Sequence, residues 1–208
     1  MTATYSARSI MGIIIKVLHN KVKVIEVLNH LEARDLAAGF LVLHQDLLNR
    51  TFKMEIMNKV PIEDYEVTFS DGAIRISIDK FIKLMMLEKV FKFKIVLSEP
   101  DLAFGASGSY FFAKYSLDIE GIPAMIEKMP GGNAIKDTII NNLLKNSIKD
   151  MPWIQLMNDR VYMDFSKAPG FDQLRTEGIY GVDIVNTLEL SNMKINDNKL
   201  KLSYKLND

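Results

Sequence analysis

The residues of this chain that could do chemistry are few, and their spacing argues against most of it. Gly105-Ala106-Ser107-Gly108-Ser109 has the composition of a nucleophile loop. A G-x-S-x-G elbow needs glycine two residues after the serine and a helix next, whereas here Gly108 follows Ser107 at once and a strand pattern comes after. The segment reads as a hairpin turn. His19, His30 and His44 are the only imidazoles, and none stands in an H-x-x-x-H or H-E-x-x-H arrangement that would place two nitrogens on one metal. Glu63 and Asp64 open a strand as consecutive residues, so they point to opposite faces and cannot flank one substrate bond. Pro130-Gly131-Gly132-Asn133 would offer helix amides to a phosphate, but no Lys-Ser/Thr follows the glycines, and an ordinary cap by Asn133 is the expectation. No catalytic constellation, metal site or cofactor is expected.

Charge and apolar patterning are more informative. Lys80, Lys83, Lys89, Lys92 and Lys94 are offset nearby only by Asp79 and Glu88, which predicts a local basic face. Such a face is either the solubilising rim of an edge strand or a surface that meets anionic headgroups. Twelve methionines, among them Met57, Met85, Met86, Met125, Met129, Met151, Met157, Met163 and Met193, supply flexible thioethers beside the predicted strands and helix ends. They suit a surface fitting varied apolar shapes, and equally an ordinary core. Phe91, Phe93, Phe111 and Tyr115 form an aromatic wall on predicted strands, opposite a stripe containing Ile139 and Leu143. These six residues are the candidate ligand-binding set.

The elements that must position them follow from periodicity. Leu188, Leu190, Met193 and Ile195, then Asn196-Asp197-Asn198-Lys199, then Leu200, Leu202, Tyr204 and Leu206 predict an antiparallel hairpin. Tyr65, Val67 and Phe69, the turn Ser70-Asp71-Gly72, and Ile74, Ile76 and Ile78 predict another. Phe91 to Leu97 and Phe111 to Ile119 alternate as strands with one dry and one wet side, joined through Pro100, Gly105 and Gly108. Val161, Met163 and Phe165 form a further strand, broken at Ala168-Pro169-Gly170. Ile135, Ile139, Ile140, Leu143, Leu144 and Ile148 line one face of a long helix over 134–149, ended by Pro152. Leu36, Phe40, Leu43 and Leu47 step as an amphipathic helix weakened by Gly39. Ile10, Ile13, Ile14, Val17 and Leu18 form another such stripe, although strands turning at His19-Asn20 compete with it.

With 208 residues and no linker or repeat, one domain over 1–208 is expected: a mainly helical segment over 1–52, then the sheet and long helix over 53–208. The 26 basic and 26 acidic residues cancel, so nucleic-acid binding is not expected. The absence of cysteine excludes a disulfide framework and a thiol nucleophile. The apolar run Ile10 to Ile15 ends at Lys16, which fits neither a signal peptide nor a transmembrane segment, and a cytoplasmic location is the expectation.

The order of a long helix (Ala134 to Lys149), a strand pair beginning Asp159-Arg160-Val161-Tyr162-Met163-Asp164-Phe165, and the closing hairpin around Asp197-Asn198-Lys199 resembles the LmeA-like bacterial branch of the tubular lipid-binding superfamily. The resemblance covers roughly the second half of the chain and implies a highly curved antiparallel sheet wrapped around a long helix, an apolar groove for acyl chains, and no catalytic residues. The expected fold is therefore α+β: about seven to eight antiparallel strands around or against a long helix, with helices at the N-terminus. The expected function is non-enzymatic binding of an apolar or lipid-like ligand between helix and sheet. A structural or protein-interaction module with a filled core, and an enzyme whose site is not legible, stay open beside it.

Overall fold

Alternating apolar residues dominate the chain, and the computed structural model, which describes residues 29–59, 62–84, 87–120, 151–176 and 183–207, is accordingly built mostly of strands. A short helix α1 (Ala33–Ala37) stops before Gly39, whose φ of +77° favours glycine, and strand β1 (Phe40–His44) and helix α2 (Gln45–Lys59) follow. Next come β2 (Asp64–Ser70), β3 (Ala73–Leu84), β4 (Leu87–Ala103), β5 (Tyr110–Glu120), β6 (Ile154–Met157) and β7 (Arg160–Asp164). A 3-10 turn (Phe165–Lys167), helices α3 (Phe171–Thr176) and α4 (Ile184–Thr187), and strands β8 (Leu188–Asn196) and β9 (Lys199–Leu206) complete the order.

The strands form two open antiparallel sheets. The larger has the order β2-β3-β4-β5-β7-β6, and the smaller has the order β1-β9-β8. Leu41 and Leu43 of β1, Leu200 and Leu202 of β9, and Ile195 of β8 pack with Val67 and Phe69 of β2 and Ile74 and Ile76 of β3, so the small sheet covers one end of the large one. Two backbone hydrogen bonds between Phe104 and Leu190 (3.0 and 2.8 Å) join the sheets at their edge. At the far end, Leu97, Phe111, Ala113 and Val161 close a second core cluster.

The two predicted hairpins are present. Asp71 and Gly72, with φ of 52° and 71°, turn β2 into β3 as the Asp-Gly pair requires, and Asn198 (φ 65°) turns β8 into β9.

Two expectations are corrected. The predicted single curved sheet around a long helix is replaced by two open sheets that cover each other in part. Among the described residues the longest helix is the 15-residue α2, and the stripe over 134–149 lies outside them, as does the Ile10 to Leu18 run. The helix expected through Leu36, Phe40, Leu43 and Leu47 is interrupted, because Phe40–His44 pairs as a strand with β9, Leu41 opposite Leu202 and Leu43 opposite Leu200. A β-prone Phe-Leu-Val-Leu run behind a positive-φ glycine wins over a 4-3-4 spacing. The expected mainly helical segment over 1–52 is described only from residue 29, where α1 and the start of α2 flank the strand β1.

Candidate functional site

In an antiparallel ladder, directly opposed residues share a face, so the register alone assigns the faces of the large sheet. Tyr65, Ile78, Phe93 and Ile119 form one cross-strand row, Val67, Ile76, Ile95 and Leu117 the next, and Phe69, Ile74, Leu97 and Tyr115 the third. In the other direction the same face continues through the pairs Lys80–Phe91, Ile82–Lys89 and Leu84–Leu87. Beyond the bulge between Ser98 and Asp101, Leu102 pairs with Phe111, and Phe111 with Met163. This inner face is apolar apart from Lys80 and Lys89.

It is not uniformly sealed. Ile76, Ile78, Phe93, Ile95, Leu117 and Tyr115 are each half-buried, Ile76, Ile95 and Tyr115 packing against the second core cluster, whereas Leu97, Phe111, Ala113 and Val161 toward one end and Phe91 and Ile119 toward the other are closed from solvent. The result is a partly open apolar strip on β3, β4 and β5, bounded on one side by the small sheet, at one end by the second core cluster and at the other by the buried Phe91 and Ile119. Tyr65, at the β2 edge of the strip, has its phenol pushed up to about 12 by burial, which marks that border as dry.

The predicted aromatic wall separates on this geometry. Phe91, Phe93, Phe111 and Tyr115 do share one face. Phe111, however, stands eight residues along β5 from Ile119, the partner of Phe93, or about 27 Å, so the four cannot converge on a compact pocket. Phe93 and Tyr115 belong to the open strip, Phe111 is core, and Phe91 is buried. Ile139 and Leu143 lie outside the described residues.

The opposite face is wet. Lys92 pairs with Asp79 at 3.6 Å, Lys94 with Glu120, and Lys114 with Glu99 at 2.6 Å, while Arg160 lies 5.2 Å over the Phe112 ring. The Tyr110 hydroxyl donates to Asp101 at 3.2 Å, which raises its pKa. The expected basic face is therefore divided: the register puts Lys83, Lys92 and Lys94 on this side, the last two already paired, and Lys80 and Lys89 on the apolar side. β3 and β4 are also interior strands of the sheet, not an edge. The sequence signal was the continued alternation Ile74, Ile76, Ile78, Lys80, which outranks nearness along the chain.

The chemical candidates acquire structural roles. Ser109 is buried with its hydroxyl accepting from the Gly105 amide and donating to the Gly105 carbonyl, both at 3.3 Å, so it ties the loop to itself. A Cβ on Gly105 (φ +147°) would stand 2.9 Å from Glu189 Cγ and 3.1 Å from the Leu188 carbonyl oxygen, and this approach against β8 explains the glycine. Asp64 binds Lys53 at 2.6 Å, which holds its carboxyl below the ordinary range. His30 contacts Arg50 at 3.0 Å, and no metal-binding cluster occurs among the described residues. His19 and Pro130 to Asn133 lie outside them.

No known protein family, curated protein or solved structure matches this chain. Among the described residues no helix is long and apolar enough to cross a membrane.

Proposed function

We propose that this protein binds an elongated apolar, lipid-like ligand along the inner face of β3, β4 and β5. The observation that carries the reading is the half-burial of six apolar side chains, Ile76, Ile78, Phe93, Ile95, Leu117 and Tyr115, on contiguous rows of one sheet face. A finished core seals such rows, and a solvent face does not place them together. Each methylene moved from water onto this strip contributes about 0.8 kcal/mol, so some ten carbons contribute about 8 kcal/mol against the entropy lost on binding. No charged contact is needed for affinity, and selectivity for the tail is loose.

Native mass spectrometry of the gently purified full chain tests the reading. Adducts of lipid mass that disappear on delipidation and return on incubation with a long-chain lipid are expected. Absence of any adduct, together with no uptake after incubation, contradicts it.

A further inference from the structure

Lys80 interrupts the apolar face next to its half-buried rows, and Lys89, opposite Ile82, follows it one row further out. From the Lys80–Phe91 row through the Leu102–Phe111 row, every other residue that the register of β3, β4 and β5 puts on this side is apolar. Lys80 is half-buried there and makes no ion pair among the described residues. Of the nearby carboxylates, Asp79 faces the other side and holds Lys92, Glu120 holds Lys94, and Asp64 holds Lys53, while Glu63, whose amide donates to the Asp79 carbonyl at 2.7 Å, is exposed and makes no ion pair with Lys80. An ammonium beside apolar surface has given up part of its hydration, and a counter-charge brought to it there is worth more than in open water.

Its position along the strip is equally specific. Among the described residues β2 pairs with β3 as far as Asp79 and β5 with β4 as far as Lys92, so the Lys80–Phe91 row lies one step past both pairings, with Phe91 buried and Lys80 half-buried. From Phe91 to Leu97, where the core closes, is six residues of β4, or about 20 Å. The acyl region of one bilayer leaflet spans about 15 Å, half the hydrocarbon core, so one full chain fits between Lys80 and that closure.

Resting on the binding reading above, we propose that the ligand is a single-chain fatty acid whose carboxylate is received by Lys80 and whose tail runs along Ile78, Phe93, Ile95 and Leu117. Lys80 then selects the head group while the strip accepts the tail.

The test compares palmitic acid with hexadecanol as competitors for a fluorescent fatty-acid probe on delipidated full-length protein, at a pH where the acid is ionised. The wild type is expected to bind the acid about tenfold or more tighter than the alcohol. Lys80→Met is expected to lower the acid's affinity to that of the alcohol, and Lys80→Arg to keep the preference. Equal wild-type binding of both competitors overturns the role of Lys80 while the apolar strip stands, and so does a preference that survives in Lys80→Met. Failure of both competitors to displace the probe, or of the probe to bind, overturns the binding reading and this inference with it. Should Lys80→Met fail to fold, the wild-type comparison and Lys80→Arg still decide.

Discussion

Phe93 and Phe111 occupy equivalent places in their sequence patterns, yet one faces a half-open strip and the other a closed core. Truncating Phe111 leaves a cavity among Leu97, Ala113 and Val161 that the sheet cannot collapse to fill, and Phe111→Ala is expected to cost about 3–5 kcal/mol. Phe93→Ala removes a side chain already partly in water, and a cost below about 2 kcal/mol is expected. Trp153, the only tryptophan, is buried with Met151 and Ala168 at the β6–β7 end, so its emission during urea denaturation reports both values. Equal losses would mean that the strip is sealed. Strand alternation made the shared face of Phe91, Phe93, Phe111 and Tyr115 legible from the sequence, because it depends only on neighbours two residues apart. Which of them water reaches depends on what covers the face, and no local pattern encodes that. Lys80 was legible in principle, since its parity with Ile78 is explicit, but grouping it with Lys92 and Lys94 by proximity concealed its side of the sheet.

At the scale of elements, β2 is an edge strand, and α2 protects part of that edge. Asn49 accepts from the Val67 amide and donates to the Val67 carbonyl, both at 2.7 Å, reproducing with one side chain the pair of bonds a neighbouring strand would make. One helical turn earlier, Gln45 accepts from the Phe69 amide at 3.0 Å, and the Asn198 amide donates to the Phe69 carbonyl at 2.9 Å. Unpaired edge groups invite pairing with another chain, so these amides guard against aggregation as well as unfolding. Asn49→Ala, which strips both partners from Val67, is expected to destabilise the protein by about 1–3 kcal/mol, read as a lowered urea midpoint. An unchanged midpoint would show that solvent serves the edge as well. The hairpins β2–β3 and β8–β9 were readable because each closes through a short turn of suitable chemistry. β1 was not, because its partner is β9 at the other end of the chain, Phe40 opposite Ser203. The slip at Ser191–Lys194 did leave a trace: the apolar step from Leu190 to Met193 is three, not two, and there the register shifts, with Asn192 at φ 52°.

For the whole molecule, the small sheet covers the β2–β3 end of the large sheet and the Phe111 cluster closes the other, leaving the strip on β3, β4 and β5 between them. The antiparallel character and most strand boundaries follow from residue alternation, whereas the division into two sheets follows from long-range pairing that alternation does not specify. Occupation of the inner face of the large sheet by an apolar ligand, as proposed above, is what the strip between them implies. It is tested most directly by titrating one fluorescent fatty-acid probe into delipidated wild type, Phe93→Ser and Phe112→Ser. Phe93 lies on the inner face, and Phe112 lies on the outer face beneath Arg160. The account predicts saturable one-to-one binding to the wild type, affinity weakened about tenfold in Phe93→Ser, and affinity retained in Phe112→Ser. No saturable binding to the wild type, or a Phe93→Ser protein that binds as tightly as Phe112→Ser, would contradict it.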